Sequence, residues 1–199
     1  MRVASTAVLL VGFQNEFCSE GGAFHDIVKG EIESSGAVKN AADLVEQGRE
    51  RGVKILHVPM QFSENFREIP PDRTGMLGDI RKANAFVMGT DRADIVEELG
   101  PEPNDVVISG KSTIAAFKST NLDHVLRNFG IKNLALAGLL TDVSVESTAR
   151  AAYDLGYRVV LLRDCTATRS KEAHLASERV IESSFGRVMS HREFLNNLE

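Results

Sequence analysis

Short apolar runs alternate with amphipathic stretches along most of the chain. The apolar runs have no helical period, as expected for buried strands. They predict strands over residues 6–11, 53–58, 105–108, 133–137, 158–162 and 187–189. Strands that alternate with helices are typical of a parallel sheet covered on both faces. We therefore expect a three-layer, Rossmann-like α/β fold with a six-stranded, mainly parallel sheet and helices on both faces.

Apolar positions at helical spacing predict the elements between these strands. The predicted helices cover residues from Ser34 or Ser35 to about 51, 93–99, 120–130, 144–155, 171–184 and 191–195. Residues 60–90 have no long periodicity, and a loop of this length in a compact domain is usually functional. We interpret it as a flap over a site or as an oligomer contact. No repeat or linker interrupts the pattern, so residues 1–199 are expected to form a single domain.

Composition excludes several classes of function. Hydrophobic residues make up 43% of the chain, charged residues 26%, and the net charge is −5. An acidic chain gives no nucleic-acid footprint, and no apolar run approaches the roughly 20 residues of a membrane span. The chain enters its first strand almost directly, without a basic and apolar leader. Its two cysteines, Cys18 and Cys165, have no metal or redox spacing. We expect a cytoplasmic protein that binds neither nucleic acid nor membrane.

Polar or small residues follow several predicted strands. Gly12, Lys111, residues 139–144 and Asp164 all fall at carboxyl ends, where open α/β sheets bind their ligands. A partly buried lysine can polarise a carbonyl or pass a proton, although most lysines are solvated surface residues. Ser144 opens a predicted helix, where free N–H groups favour a nucleophile or an anion. A plain helix-capping serine is the alternative.

Two other kinds of site are weakly supported. Gly110-Lys111-Ser112 looks like the end of a phosphate-binding loop, but the glycine required five residues earlier is Asp105. Nucleotide binding therefore stays a minor alternative. The five histidines are scattered without zinc-site spacing. We expect no cofactor and no metal.

Several longer stretches carry a family resemblance. They are AVLLVGFQNEF at 7–17 with CSEGGA at 18–23, FVMGT at 86–90, GKSTIAAFKSTNL at 110–122, LAGLLTDVSVESTARAA at 136–152 and GYRVVLLRD at 156–164. In order and spacing the chain resembles the isochorismatase-like cysteine hydrolases. That family includes nicotinamidases, N-carbamoylsarcosine amidases, ureido- and biuret-type amidases, and isochorismatases. The resemblance covers nearly the whole chain and implies the family's α/β fold.

The resemblance also implies a catalytic triad of aspartate, lysine and cysteine. Position by position, the lysine is Lys111, the cysteine position holds Ser144, and the aspartate position holds Gly12. Serine is a weaker nucleophile than a thiolate and needs a general base, and the family's base is missing. Asp142 and Glu16 are possible substitutes at other positions.

Further site residues come from the same resemblance. Leu140 and Thr141 would lie at the oxyanion, while Phe13, Gln14 and Phe117 would lie at the substrate. The matching turn in the family contains a non-proline cis peptide bond, which here would join Leu139 to Leu140. The metal-binding histidines of some nicotinamidases would fall within residues 60–68, which contain no histidine.

The resemblance finally implies a hydrolase that acts on a small amide or an isochorismate-like acid, with a degenerate triad that leaves it weak or inactive. It also implies a homo-oligomer, either dimer or tetramer. Isochorismatases work without the cysteine but keep the aspartate, so Gly12 also disfavours that chemistry. A catalytically silent binding or scaffold protein is the alternative. We expect Lys111 and Ser144 to face one small space at the edge of the sheet.

Overall fold

A computed structural model describes all residues, 1–199. Its centre is one sheet of six strands in the order β3-β2-β1-β4-β5-β6. The strands are β1 Thr6–Val11, β2 Lys54–Val58, β3 Val106–Val107, β4 Asn133–Leu139, β5 Arg158–Ala167 and β6 Gly186–Met189. Every neighbouring pair is parallel. The predicted six-stranded α/β fold is confirmed, and the sheet is parallel throughout.

Helices cover both faces of this sheet. They are α1 Asn15–Cys18, α2 His25–Ser35, α3 Ala37–Glu50, α4 Gly75–Lys82, α5 Leu122–Asn128, α6 Glu146–Asp154, α7 Lys171–Ser184 and α8 His191–Asn196. Alternate residues of β1 enter two separate cores, with Val8 and Leu10 in one and Leu9 and Val11 in the other. Every residue of β1 is buried, because a strand between two helical layers has no solvent face. No helix is both long and apolar enough to span a membrane.

Two predicted helices were wrong in their extent. The helix expected from Ser34 or Ser35 begins at Ala37, because Gly36 takes a left-handed conformation (φ 66°) and separates it from α2. The helix expected over residues 93–99 is two short 3-10 turns, Asp91–Ala93 and Glu97–Leu99. Between those turns, the Val96 N–H donates to the Phe13 carbonyl at 3.0 Å. Backbone used for that pairing cannot continue a helix.

The end of β5 also differs from the expectation. The predicted strand over residues 158–162 continues to Ala167, so Asp164 lies inside the strand. The register against β4 shifts on the way, since Leu136 faces Leu161 but Gly138 faces Thr166. This bulge inserts extra residues into β5.

The segment over residues 60–90 is only partly a loop, since it contains α4. Phe62 and Phe86 in this segment are fully buried. Their backbones are joined, because the Phe62 N–H donates to the Phe86 carbonyl at 2.9 Å. The segment is therefore attached to the core through aromatic side chains.

Candidate functional site

Gly12 ends β1 at the carboxyl edge of the sheet. Its N–H donates to the carbonyl of Val58 at the end of β2, and its φ of +71° lies in the left-handed region. A Cβ atom here would lie 2.8 Å from the Leu139 carbonyl oxygen at the end of β4. Residue 12 is thus a position where this backbone favours glycine.

Gln14 links this strand end to two neighbouring segments. Its amide nitrogen donates to the Met60 carbonyl at 2.9 Å and its amide oxygen accepts from the Met60 N–H at 2.7 Å. The nitrogen also donates to the Ala93 carbonyl at 2.6 Å. Gln14 is fully buried, and each of these bonds is made to a backbone group. The side chain therefore fixes the backbone of both segments. Phe13 is likewise buried, within the core that contains Val8.

Lys111 lies beside the same segment. It forms a parallel bridge with Met60, and only 1% of its surface is exposed. Its Nζ donates to the Thr113 carbonyl at 2.9 Å and forms no ion pair. Burial without a nearby carboxylate lowers the pKa of Lys111 to about 7, because desolvation disfavours the charged form. Near neutral pH, a large share of the molecules therefore carries a free amine.

Ser144 lies in a π-helical turn, Thr141–Val145, that joins β4 to α6. It was expected to open the α-helix, but α6 begins only at Glu146. Ser144 is 7% exposed, and its hydroxyl makes no hydrogen bond within the protein. Nδ1 of His57 is the only side-chain polar atom that is fully enclosed and has no partner. The Ser144 hydroxyl also has no partner, so it must be partly accessible to solvent.

The turn before Ser144 has a defined backbone geometry. The peptide bond between Leu139 and Leu140 is cis, as predicted. The Leu140 carbonyl accepts from the N–H groups of Val143 and Val145 at 3.2 and 3.1 Å. Those two donors therefore point back into the turn. Any stabilisation of an oxyanion must come from other backbone groups of the turn.

The side chain of Thr141 faces α7. Its hydroxyl is 3.0 Å from Nδ1 of His174, whose Nε2 is 3.0 Å from a Glu178 carboxylate oxygen. The Thr141 carbonyl accepts from the Ser177 hydroxyl at 3.3 Å. These bonds fix the turn against α7.

The two possible replacement carboxylates are both engaged elsewhere. Glu16 is fully buried and accepts from the backbone N–H groups of Ala23 and Phe86 at 2.7 and 3.1 Å. Asp142 accepts from the Thr168 hydroxyl, and from Arg169 at 2.8 Å. Each carboxylate has a structural role, so neither is a free base beside Ser144.

Aromatic side chains occupy the space next to Gly12. A Cβ at Gly12 would lie 3.8 Å from the Phe17 ring, and Phe17 contacts Phe24 and Phe86 with ring centroids 5.7 and 5.2 Å apart. This aromatic cluster was not predicted from the sequence. The position of Phe17 shortly after Gly12 is the sequence feature that could have indicated an aromatic ring beside the strand end. Phe117 lies elsewhere, stacked on Tyr157 in the opposite core with ring centroids 6.0 Å apart.

The segment around Lys111 does not have the geometry of a phosphate-binding loop. The Gly110 N–H faces Gln61 Oε1 at 3.4 Å and the Ser112 N–H donates to the Ser119 hydroxyl at 2.9 Å. A phosphate loop needs such donors free and a helix directly after them. Here the next helix, α5, begins only at Leu122. The nucleotide alternative therefore has no structural support.

Comparison with known proteins agrees with this architecture. Residues 6–193 match the Isochorismatase domain family. The chain is 30% identical to ureidoacrylate amidohydrolase RutB of Agrobacterium fabrum, over 98% of this chain and 90% of that protein. It is 33% identical to the isochorismatase family protein YwoC of Bacillus subtilis, over 87% and 91%. A cysteine hydrolase structure from Pseudomonas syringae pv. phaseolicola superposes with a TM-score of 0.84 at 23% identity, over 98% and 93% of the two chains. The chain therefore belongs to the isochorismatase family of hydrolases.

Proposed function

We propose that the chain acts on a small carbonyl compound at a site formed by Lys111 and Ser144, with low turnover because the carboxylate base is missing. The observation that carries this proposal is the buried, unpaired Lys111 at the same sheet edge as a serine whose hydroxyl has no partner. Burying a lysine without an ion partner is costly, which favours a use for it. Gly12 leaves no carboxylate to pair with it.

Small ureido acids are the proposed substrate class. The support is the likeness to ureidoacrylate amidohydrolase RutB along nearly the whole chain. A ureido group offers a carbonyl carbon to a nucleophile and releases ammonia.

The proposed reaction starts with Ser144. Its oxygen attacks the ureido carbonyl carbon, and its proton moves to the neutral amine of Lys111. The protonated lysine then returns that proton to the departing ammonia, which leaves a carbamate ester on Ser144. Water hydrolyses this ester by the same proton route, and the carbamic acid that is released breaks down to carbon dioxide and an amine. A buried amine with its pKa near 7 can hold and return a proton at neutral pH. Without a carboxylate to orient the base, we expect each step to be slow.

An ammonia-release assay tests this proposal. The wild-type chain is compared with Ser144→Ala and Lys111→Met, using ureidoacrylate, N-carbamoylsarcosine and nicotinamide as substrates. Ser184→Ala, at an exposed serine of α7, is the matched control. We expect slow wild-type release that both site variants abolish and the control keeps. Wild-type turnover that survives Ser144→Ala would overturn the assignment of the nucleophile.

A catalytically silent binding or scaffold protein is the second candidate. It is favoured by the ring of Phe17, which lies 3.8 Å from a Cβ placed at Gly12 and packs against Phe24 and Phe86. Phe86 belongs to the segment interpreted as a flap. If no family substrate is hydrolysed, the chain is either a binding protein with a retained pocket or a scaffold. Calorimetric titration with ureidoacrylate distinguishes these two cases. Binding that Lys111→Met abolishes indicates a retained pocket, and no binding indicates a scaffold.

A homo-oligomer in the cytoplasm completes the proposal. The support is the family resemblance, and Met88 of the 60–90 segment, the segment interpreted as a possible oligomer contact, is about half exposed. Light scattering after gel filtration tests this part. A dimer or tetramer mass is expected, and a mass of one chain would contradict it.

A further inference from the structure

Three residues with metal-ligating side chains meet on the other side of β4 from Lys111. Asp164 and Cys165 lie in β5, and His191 is the first residue of α8. One ligand atom from each lies within 4.8 Å of the other two. Nothing in the proposed hydrolytic site uses these groups.

We propose that Asp164, Cys165 and His191 form a binding site for a zinc-type divalent cation. A carboxylate oxygen, a thiolate sulfur and an imidazole nitrogen are all ligands that this ion accepts in tetrahedral sites. Asp164 Oδ2 is 2.7 Å from Nδ1 of His191, and the Cys165 sulfur is 3.8 Å from Asp164 Oδ1. Shifts of a fraction of an ångström would open the space that an ion between them needs.

The bulge in β5 accounts for two neighbouring residues serving one site. Consecutive residues of a regular strand point to opposite faces. Here Leu161 and Thr166 flank the irregular stretch that contains Asp164 and Cys165. Asp164 is also fixed at its second oxygen, because Oδ1 accepts from the His191 backbone N–H at 2.8 Å. That bond leaves Oδ2 as the oxygen for the ion.

A metal-bound histidine usually has a hydrogen-bond partner on its other ring nitrogen, and Asp43 is that partner for His191. Its Oδ2 lies 2.9 Å from Nε2 of His191, on the far side of the ring from Asp164. Gln47 donates to the same Asp43 oxygen at 2.9 Å. A carboxylate on the second ring nitrogen fixes the tautomer and directs Nδ1 toward the metal. The side chain of Asp43 is thus a positioning group.

Binding of the ion would release protons from its ligands. Both ring nitrogens of His191 face carboxylate oxygens. A divalent cation takes a thiolate and an imidazole nitrogen without a proton, so the thiol proton of Cys165 and any proton on Nδ1 of His191 would leave to solvent. The side chain of Asp164 is 26% exposed, which gives the ion an entry path.

Cobalt spectroscopy tests this site without any enzymatic assay. The whole chain is treated with a chelator, desalted and titrated with Co²⁺, and zinc bound after desalting is counted by mass spectrometry. We expect one ion per chain and a thiolate-to-cobalt charge-transfer band. Cys165→Ala should remove the band, while the matched control Cys18→Ala should keep it. Asp43→Asn should keep the band but weaken affinity by about 10–100-fold.

Either of two results would overturn the proposal. One is the absence of stoichiometric zinc and of the band in a wild-type chain whose circular dichroism shows a folded protein. The other is a band that persists unchanged in Cys165→Ala. Activity of the Lys111 and Ser144 site enters neither outcome, so the two proposals fail separately.

Discussion

The amine of Lys111 donates to the carbonyl oxygen of Thr113 at 2.9 Å and has no carboxylate partner. Residue 12, at the end of β1, is a glycine and supplies no carboxylate. A buried cation without an anion destabilises the fold in its charged form. Lys111 and Ser144 are the two polar groups of the proposed site.

Stability should depend on the protonation of Lys111. Its pKa falls from 10.5 to about 7 on folding, so between pH 7 and 10.5 the unfolded chain binds more protons than the folded one. The free energy of unfolding should therefore rise with pH across this window. Over the full range, the titration of Lys111 accounts for a rise of at most about 5 kcal/mol in the free energy of unfolding.

Urea titrations at pH 6, 7, 8 and 9 measure this effect. Lys111→Met should remove most of the rise, while Lys132→Met, at an exposed lysine, should keep it. Identical pH dependence in the wild-type chain and in Lys111→Met would show that the buried amine does not titrate as described.

Gly12→Ala should cost more stability than a glycine replacement in open space. Gly12 and Gly21 both have positive φ, at 71° and 82°, but only Gly12 has backbone within 3 Å of the added Cβ. A left-handed alanine costs about 1 kcal/mol at either position. At Gly12 the contact with the Leu139 carbonyl should bring the total to about 2–3 kcal/mol. Equal losses for Gly12→Ala and Gly21→Ala in urea unfolding would contradict the close approach.

Glu16→Gln should loosen the segment that contains Phe86. The two carboxylate oxygens of Glu16 accept from the N–H groups of Ala23 and Phe86. An amide side chain has a single acceptor oxygen, so one buried N–H loses its partner at a cost of about 1–3 kcal/mol. Faster hydrogen exchange at Ala23 or Phe86 is the expected result. Glu20→Gln, at an exposed position, is the control, and unchanged exchange in Glu16→Gln would refute the structural role.

His57 should make the protein sensitive to mild acid. Burial lowers the pKa of His57 despite its contact with Asp105, and its Nδ1 has no partner. Below the ordinary histidine pKa of about 6.5 the unfolded chain binds a proton that the folded chain does not, so stability should fall as the pH drops through that value. Unfolding from pH 7 to 5 should show this slope in the wild-type chain and in His124→Leu, at an exposed histidine, but less of it in His57→Leu. A slope that survives in His57→Leu would assign it to other groups.

The sequence predicts the strands better than the segments between them. Buried strands such as Thr6–Val11 are uninterrupted apolar runs, and their parallel direction follows from the alternation of strands with helices. The residues around Ile95 have helical composition but pair with Gln14 instead. Pairing between residues that are distant in the sequence cannot be predicted from the local pattern of hydrophobic and polar positions. The extension of β5 past Asp164 cannot be seen in the sequence either, because a bulge breaks the alternation that identifies a strand.

The candidate site divides in a similar way. Its positions could be predicted because strand ends and family spacing mark Gly12, Lys111 and Ser144. The use of Glu16 and Asp142 as structural acceptors could not, because both depend on loops that are distant in sequence. The place of Phe117 at the substrate stays a prediction; its ring is stacked on that of Tyr157.

The most direct test of the central claim asks whether Lys111 and residue 144 face one space. In Ser144→Cys, the introduced thiol reports on its own surroundings, because burial raises the pKa of Cys18 to about 12 and also raises the pKa of Cys165. Its titration is followed by thiolate absorbance, with and without Lys111→Met. Our account predicts that the thiol and the amine titrate as a coupled pair, so that removal of the lysine shifts the thiol pKa by about one unit. An identical thiol pKa in both backgrounds would contradict a shared site.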